Sequence, residues 1–329
     1  MREIKKVVST VRYAAEDLDM LRSLFEDSTF VQVCPDDTPT LLRELKDADA
    51  AVLDADLDDR FLGENQLKWI HCNHAGLAKS ARPEVFERGI ILTGSAGRSA
   101  EVLAEHAVYF MLAACYHTHE LLAAQYRHTW LRTPEMMDWR GLYGRKAGII
   151  GMGHTGKCLA ERLHAFGMEL WAYDRYPLGS DFSFVEHPLI AEKGDTLDPL
   201  YQNCDFVCLC IALTDQTYQM VNDDAFQKMK QGAVLVNMAR GQIVDTEAMI
   251  RALDSGKLSC AGLDVFDSEP LPADSPLWDR KDVYITPHVT PAVPHRNGKC
   301  LEIIRENVRR YKAEEPMLNQ VDPKDRYTK

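Results

Sequence analysis

The chain has 329 residues, of which 46% are hydrophobic and 27% are charged, and its formal net charge at pH 7 is −12. This length exceeds one ordinary hydrophobic core and predicts two domains of roughly 100–200 residues each. The negative charge repels phosphate backbones, which excludes nucleic acid as an expected partner. The longest apolar run, residues 107–115, is far short of the roughly 20 residues that cross a bilayer, and the opening residues show no apolar signal segment. We therefore expect a cytoplasmic protein without a membrane partner, whose nine cysteines stay reduced.

Short β-branched runs alternate with helical patterns along the chain. This alternation predicts parallel α/β architecture and argues against repeats or an all-β fold. Helices are predicted over residues 14–26 and, as one long element that carries the chain from one domain into the next, over residues 99–128. Strands of the first hundred residues are predicted at 5–11, 29–34, 50–55, 68–73 and 90–95.

A second series of strands follows the long helix. Six strands are the number expected for a doubly wound dinucleotide-binding sheet. The helix after the first of them places Leu159, Leu163 and Phe166 on one face, which we expect to pack on the sheet. The predicted strands are 146–152, 169–174, 206–211, 232–238, 260–266 and 283–287.

A glycine-rich turn joins the first strand of this series to its helix. Gly151, Gly153 and Gly156 form the pattern G-x-G-x-x-G, in which the first glycine permits a tight turn and the second lets the backbone approach a pyrophosphate. The third lets helix and strand pack closely, and the pyrophosphate is held by unpaired amides at the helix start. Asp174 ends the next strand, where its carboxylate can accept hydrogen bonds from a ribose diol. The sequence therefore predicts a dinucleotide site.

Three polar residues stand just past the ends of later strands. Arg240, Glu269 and His288 each follow a different strand of the second series. Ligands of open α/β sheets bind at the carboxyl edge, so these side chains are expected to converge beside the nicotinamide. Pro287 and Pro291 restrain the loop that carries the histidine.

The chemistry of this trio suits hydride exchange between a 2-hydroxy acid and a 2-keto acid. The forked guanidinium of Arg240 can hold a carboxylate and polarise the neighbouring carbonyl. His288 can supply the proton that the alkoxide needs after hydride transfer, since imidazole is suited to proton transfer near neutral pH. Glu269 on the far ring nitrogen would orient the imidazole and favour its charged form.

Four motifs carry a resemblance to a known family. "GIIGMGHTG", "VNMARGQIVD", "GLDVFDSEPLP" and "ITPHVTP", in this order and at these spacings, resemble the D-isomer-specific 2-hydroxyacid dehydrogenases. The resemblance extends to both ends of the chain through "NHAGLAK", "LAEHAVYFMLA" and the terminal "ENVRRY" and "LNQVD". It departs from the family pattern in the glycine loop, where His154 and Thr155 replace an Arg-Ile pair, and at "CIALT", where "LPLT" is usual. Glu269 argues against the formate dehydrogenase branch, which pairs its histidine with glutamine.

The resemblance implies a Rossmann doubly wound parallel-sheet domain and a second, flavodoxin-like α/β substrate domain. It implies that residues 1–100 and 296–329 form the substrate domain and that residues 101–295 bind NAD, with a dimerisation arm at about 119–148. The arm contains Trp130, Met136, Met137 and Trp139 and would embrace a second subunit in a homodimer.

The same resemblance implies which residues of this chain are catalytic, which bind the substrate and which bind the cofactor. The catalytic set is Arg240, Glu269 and His288. Backbone amides around Ala75 and Gly76 would help Arg240 bind the substrate carboxylate, and Asp264 would meet the nicotinamide amide. The expected cofactor set is Gly151, Gly153, His154, Thr155, Gly156, Asp174, Arg175, Thr217, Ala239 and Asp264.

The preferred interpretation is an NAD-dependent reductase of glyoxylate or hydroxypyruvate type, and two alternatives stay open. Corepressors related to the family keep the same fold and trio, so an NAD(H)-sensing binding protein is one of them. Phosphoglycerate dehydrogenase is the other, since Lys79, Arg82 and Arg98 could meet a substrate phosphate. No metal is expected at residues 71–74, "HCNH", because neighbouring residues of a strand face opposite sides.

Overall fold

The computed structural model describes residues 2–132, 141–294 and 296–328. The chain divides into two compact units, one made of Met1–Arg98 with Ala292–Lys329 and the other of Ser99–Pro291. Within the described ranges, no helix has both the length and the apolar character needed to cross a membrane.

Strands and helices alternate through both units. The strands are β1 Lys6–Ser9, β2 Thr29–Gln32, β3 Ala50–Leu53, β4 Trp69–Cys72, β5 Ile91–Gly94, β6 Lys146–Ile150, β7 Glu169–Asp174, β8 His187–Ile190, β9 Phe206–Leu209, β10 Ala233–Asn237, β11 Leu258–Leu263 and β12 Val283–Ile285. The α-helices are α1 Ala15–Ser23, α2 Thr38–Leu45, α3 Asp59–Leu62, α4 Pro83–Glu87, α5 Ala100–Cys115, α6 Thr118–Tyr126, α7 His154–Ala165, α8 Asp198–Asn203, α9 Asp223–Lys228, α10 Thr246–Asp254 and α11 Arg296–Ala313.

The first unit is built on a parallel sheet with strand order β2-β1-β3-β4-β5. All five strands predicted for the first hundred residues are confirmed, and each is shorter than predicted. Helix α11 returns from the far end of the chain to this unit, where Tyr311 stacks on the buried Trp69 with ring centroids 5.7 Å apart. The core of the unit thus joins the two ends of the sequence.

The second unit contains a seven-stranded parallel sheet with order β12-β11-β10-β9-β6-β7-β8. The order reverses between β6 and β9, as in a doubly wound fold. The predicted fold class, a Rossmann-type domain with a parallel sheet and a second α/β domain, is confirmed. Helix α5 lies so close to β11 that a Cβ on Gly262 would meet the ring of Phe110.

Three details of the prediction were wrong. The long helix over 99–128 is two helices, α5 and α6, because His117 adopts a left-handed φ of 46° between them. The sheet has a seventh strand, β8, which was not predicted because it contains Pro188. Proline is tolerated in β8 because this strand lies at the edge of the sheet. Phe166 caps the end of α7 and is 41% exposed, so it does not share the buried face of Leu159 and Leu163.

The glycine turn between β6 and α7 depends on two glycines for its shape. Gly151 has a φ of 97°, a conformation that side chains disfavour. A Cβ at Gly156 would collide with the carbonyl oxygen of Gly151, so α7 could not start this close to the strand with any other residue there. Gly153 differs, because nothing lies within 4 Å of the Cβ that would be added to it.

Gly156→Ala should therefore destabilise the second unit, whereas Gly153→Ala is its matched control. Overpacking of this kind costs about 1–3 kcal/mol, and each kcal/mol lowers Tm by roughly 2–4 °C in a domain of this size. Thermal unfolding followed by circular dichroism measures both variants. Equal melting temperatures for the two would contradict the assigned contact.

Candidate active site

The first turn of α7 forms one end of the candidate site. Helix α7 begins after Gly153, which is exposed and acts as N-cap without a side-chain hydrogen bond. His154 and Thr155 follow in the first turn, and the buried Gly156 packs beneath them. Helix amides that lack a side-chain cap suit an anion, so this turn has the donor chemistry that a pyrophosphate requires.

Asp174, at the end of the next strand β7, is hydrogen-bonded to the glycine turn. Its Oδ2 accepts a hydrogen bond of 2.6 Å from the amide of Met152, inside the glycine turn. Its Oδ1 accepts one of 3.1 Å from the amide of Tyr176. The guanidinium of Arg175 lies 5.9 Å from the centre of the Tyr176 ring. The carboxylate is thus fixed at the strand end and tied to the glycine turn.

Two further residues of the expected cofactor set lie in loops that follow β9 and β10. The hydroxyl of Thr217 donates to the carbonyl of Ala212 at 2.7 Å and accepts from the amide of Thr214 at 2.8 Å. Ala239 is buried, and its amide donates to Oδ1 of Asn237 at 3.0 Å. Both loops are therefore shaped by their own hydrogen bonds at the carboxyl side of the sheet.

The strands that carry the trio end in register. Asn237, Leu263 and Ile285 are aligned partners on β10, β11 and β12, so the chain leaves these strands at one edge. Arg240 follows β10, and its Nη1 donates to the carbonyl of Ala239 at 2.6 Å. The buried side-chain amide of Asn237 donates to the carbonyl of Arg240 at 3.0 Å and thereby fixes the turn. Sequence reasoning missed Asn237, although it stands in "VNMARG".

Glu269 and His288 are in direct contact. Oε2 of Glu269 lies 2.7 Å from Nδ1 of His288, while Oε1 accepts from the amide of Phe266 at 2.9 Å. Because a carboxylate has only acceptor oxygens, Nδ1 must carry the proton. The other nitrogen, Nε2, is left to take or give a proton, and the histidine side chain keeps 34% of its surface exposed.

The backbone at His288 is held in an uncommon conformation. Its φ is 50°, in the left-handed region, and its amide donates to the carbonyl of Thr286 at 3.0 Å. Non-glycine residues in this region carry a conformational cost and occur often at functional sites. The conformation that orients this imidazole is therefore held at a cost in conformational free energy.

Asp264 is nearly inaccessible, with 1% of its surface exposed, and its Oδ1 accepts from the hydroxyl of Thr286 at 2.6 Å. Thr286 also meets the imidazole of His106, a residue of α5 whose other nitrogen contacts the hydroxyl of Thr290. Burial lowers the pKa of His106, and the negative charge of Asp264 partly offsets this lowering. Sequence reasoning assigned no role to His106, although the motif "LAEHAV" contains it.

The remaining predicted residues lie in the first unit. Ala75 and Gly76 follow β4, where Gly76 has a φ of 77° and the carbonyl of Ala75 contacts Nδ1 of His74 at 3.2 Å. The Arg98 guanidinium donates to the carbonyl of Asn73 at the start of the same loop. This loop is thus anchored from the segment that follows β5.

The "HCNH" segment has its own hydrogen-bond partners. His71 is fully buried, and its two nitrogens lie 2.9 Å and 3.0 Å from the hydroxyls of Thr93 and Ser95. Burial lowers the pKa of this histidine to about 3. Within the described part of the chain, no group of three or more His, Cys, Asp or Glu residues could hold a metal ion.

Comparisons with known proteins show which family the chain resembles. Residues 108–290 match the family model for the NAD-binding domain of D-isomer specific 2-hydroxyacid dehydrogenases. A glyoxylate reductase of Korarchaeum cryptofilum is 31% identical over 327 residues, covering 96% of each chain. A glyoxylate/hydroxypyruvate reductase B of Yersinia pestis is 31% identical, covering 85% of this chain and 87% of the relative.

A solved structure shares the fold. It is a D-isomer specific 2-hydroxyacid dehydrogenase from Xanthobacter autotrophicus in complex with NADPH and MES, with a TM-score of 0.79 and 24% identity, covering 98% of this chain and 99% of that one. A family model that spans more than half of the chain and a relative matched along nearly its whole length lead to the same conclusion: the chain belongs to the D-isomer-specific 2-hydroxyacid dehydrogenases.

Proposed function

We propose that this enzyme reduces a small 2-keto acid, such as glyoxylate or hydroxypyruvate, to the D-2-hydroxy acid with NADH. The observation that carries the proposal is the 2.7 Å contact between His288 and Glu269 at the strand edge that also presents Arg240. The names of the reductase relatives support the choice of substrate.

The glycine turn fits the cofactor. Gly153 leaves open space beside the start of α7, and Asp174 holds a carboxylate at the strand end. When bound, the nicotinamide cofactor supplies the hydride. The expected contacts of Gly151, His154, Thr155, Gly156, Arg175, Thr217, Ala239 and Asp264 with the cofactor belong to this proposal.

The chain's own residues supply the rest of the chemistry. Arg240 would hold the substrate carboxylate through paired hydrogen bonds. The expected role of the Ala75 and Gly76 amides as carboxylate donors is a separate part of the proposal. Nε2 of His288 would give its proton to the oxygen that becomes the hydroxyl. Glu269 would keep Nδ1 protonated and would stabilise the imidazolium, so that the proton is available at Nε2.

The phosphoglycerate alternative has less support. Arg82 forms ion pairs with Asp59 at 2.6 Å and Glu84 at 3.2 Å, and Arg98 donates to the Asn73 carbonyl. A guanidinium whose charge is already paired with two carboxylates, as in Arg82, is a poorer phosphate ligand. A panel of 2-keto acids mixed with protein and NADH, and followed by absorbance, tests the proposed function. Failure of every keto acid would favour the corepressor alternative.

We also propose that the enzyme acts in the cytoplasm. All nine cysteines lie in the described ranges, and each is a free thiol. Reduced cysteines are the state that cytoplasmic glutathione and thioredoxin maintain.

His288→Asn should lower kcat by about 10²–10⁴, the usual contribution of a positioned acid or base, with the Kd of NADH nearly unchanged. Steady-state kinetics and fluorescence titration of NADH measure the two quantities.

Glu269→Gln should move the pH profile of kcat/KM toward lower pH, since the neutral amide no longer favours the charged imidazole. Near-normal turnover of the histidine variant, or an unmoved profile in the glutamine variant, would remove that residue from its role.

NADH should be preferred over NADPH, because a 2′-phosphate would bring negative charge against Asp174 in a partly desolvated pocket. Asp174→Asn keeps an acceptor for the Met152 amide and removes the charge, so it should narrow the gap between the cofactors. Asp174→Ala should narrow it too, but with weaker binding of both cofactors. Comparing kcat/KM for NADH and NADPH decides the matter. Better efficiency with NADPH in the parent enzyme would show that Arg175 governs the pocket.

We propose a two-fold homodimer that covers the exposed aromatic side chains of Tyr126, Trp130 and Tyr143. Tyr126 is 80% exposed, Trp130 91% and Tyr143 86%, and apolar groups of this size require a covering surface. The predicted arm is helical over Thr118–Tyr126, whereas its Met136, Met137 and Trp139 lie outside the described residues.

Sedimentation at micromolar concentration should give a dimer, and Tyr126→Asp should shift it toward monomer because a charge would be buried in the interface. Met20→Asp, which changes an exposed apolar residue of α1, is the control and should leave the dimer intact. A monomeric parent protein would refute the proposed assembly.

A further inference from the structure

A hydrogen-bonded cluster lies directly behind the loop that carries His288. His106 projects from α5 and contacts two threonines that flank His288 at equal distance along the chain, Thr286 before it and Thr290 after it. Nε2 of His106 lies 3.3 Å from the hydroxyl of Thr286. One imidazole thus touches both sides of the loop whose tip is the proposed acid.

The direction of every hydrogen bond in this cluster can be deduced. The Asp264 carboxylate can only accept, so the hydroxyl proton of Thr286 must point to its Oδ1, 2.6 Å away. Thr286 has no second proton for His106, so Nε2 of His106 must be the donor to that hydroxyl. Because burial lowers the pKa of His106, the imidazole is neutral near pH 7, and its Nδ1 accepts from Thr290.

The resulting chain runs in one direction, from the hydroxyl of Thr290 through His106 and Thr286 to the carboxylate of Asp264. Hydrogen bonds aligned in this way polarise and strengthen one another. Ser99, the N-cap residue of α5, adds a further tie, since its hydroxyl donates to the carbonyl of Pro291 at 3.3 Å. Helix α5 therefore holds the loop near its start, near its end and just beyond it.

This restraint matters because the loop is strained at its tip. His288 has a φ of 50°, which the backbone keeps only where surrounding contacts enforce it. Its Nδ1 must stay 2.7 Å from Oε2 of Glu269 for the imidazole to point Nε2 outward. A shift of about 1 Å in a reacting group can lower the rate about 10²-fold.

We propose that His106 is a positioning residue, which holds the 286–290 loop through Thr286 and Thr290 so that His288 stays paired with Glu269. The inference rests on the role proposed for His288. Since Asp264 ends the same chain of hydrogen bonds, the position of the acid is coupled to the residue expected to meet the nicotinamide.

The test uses His106→Phe, which keeps an aromatic ring beside Phe110, and Thr290→Val, which removes only the hydroxyl in a side chain of similar shape. Each should lower kcat about 10- to 100-fold with the Kd of NADH within about twofold of the parent value. The double variant should lose no more than either single variant, because both break one chain of hydrogen bonds. Thr290→Ser, which keeps the hydroxyl, should restore most of the activity.

Tyr284→Phe is the matched control. Tyr284 belongs to β12 and its hydroxyl donates to the carbonyl of Ala113 on α5 at 2.9 Å, so this variant also removes one hydrogen bond between the same two elements. It should lower Tm without moving the pH profile of kcat/KM. The positioning variants should move that profile toward lower pH, since Glu269, the charged group in contact with His288, would stabilise the imidazolium less well.

A second readout does not depend on turnover. The proton on Nδ1 of His288, bonded to a carboxylate, should give a low-field proton NMR signal that His288→Asn abolishes and thereby assigns. Loss or broadening of this signal in His106→Phe and Thr290→Val, with its retention in Tyr284→Phe, supports the inference even if none of the keto acids proves to be a substrate. An intact signal in both variants, or parent-like kcat and pH profile, would overturn it.

Discussion

The 2.7 Å hydrogen bond between His288 and Glu269 depends on two backbones that the sheet holds in place. On one side, the amide of Phe266 fixes the free oxygen of Glu269. On the other, the left-handed conformation of His288 turns the imidazole toward the carboxylate. Gly241 makes the arrangement possible, because a Cβ there would collide with the backbone of Phe266. The glycine after Arg240 therefore leaves room for the backbone that holds Glu269, which lies 28 positions further along the chain.

Much of this arrangement could be predicted from the sequence, for a physical reason. Buried parallel strands are short continuous apolar runs, and residues placed after them must meet at one edge. Arg240, Glu269 and His288 each follow one of three strands, β10, β11 and β12, that end in register. The contact between the glutamate and the histidine follows from their order and chemistry, without knowledge of any other side chain.

Other features left no local signal. The break between α5 and α6 has neither glycine nor proline, and only the left-handed conformation of the exposed His117 separates the two helices. The cluster behind His288 joins residues 180 and 184 positions apart. Its existence depends on how α5 packs over the sheet, and periodicity alone does not specify which side chains then meet. A histidine on an apolar helix is read from sequence as core until its partners are known.

At the cofactor end of the site, one residue has a feature that the sequence predicts and another that only the structure shows. Asp174 is proposed as a ribose acceptor from its position, and the structure shows a further contact of its carboxylate. Its Oδ2 accepts from the Met152 amide and so binds the glycine turn to the end of β7. Each carboxylate oxygen has a further lone pair, so a ribose hydroxyl can be accepted without breaking that bond. The residue that would exclude a 2′-phosphate therefore also shapes the turn on which the pyrophosphate would rest. For this reason an uncharged acceptor at this position should change the cofactor preference with the least loss of affinity, whereas loss of the acceptor should weaken binding of either cofactor.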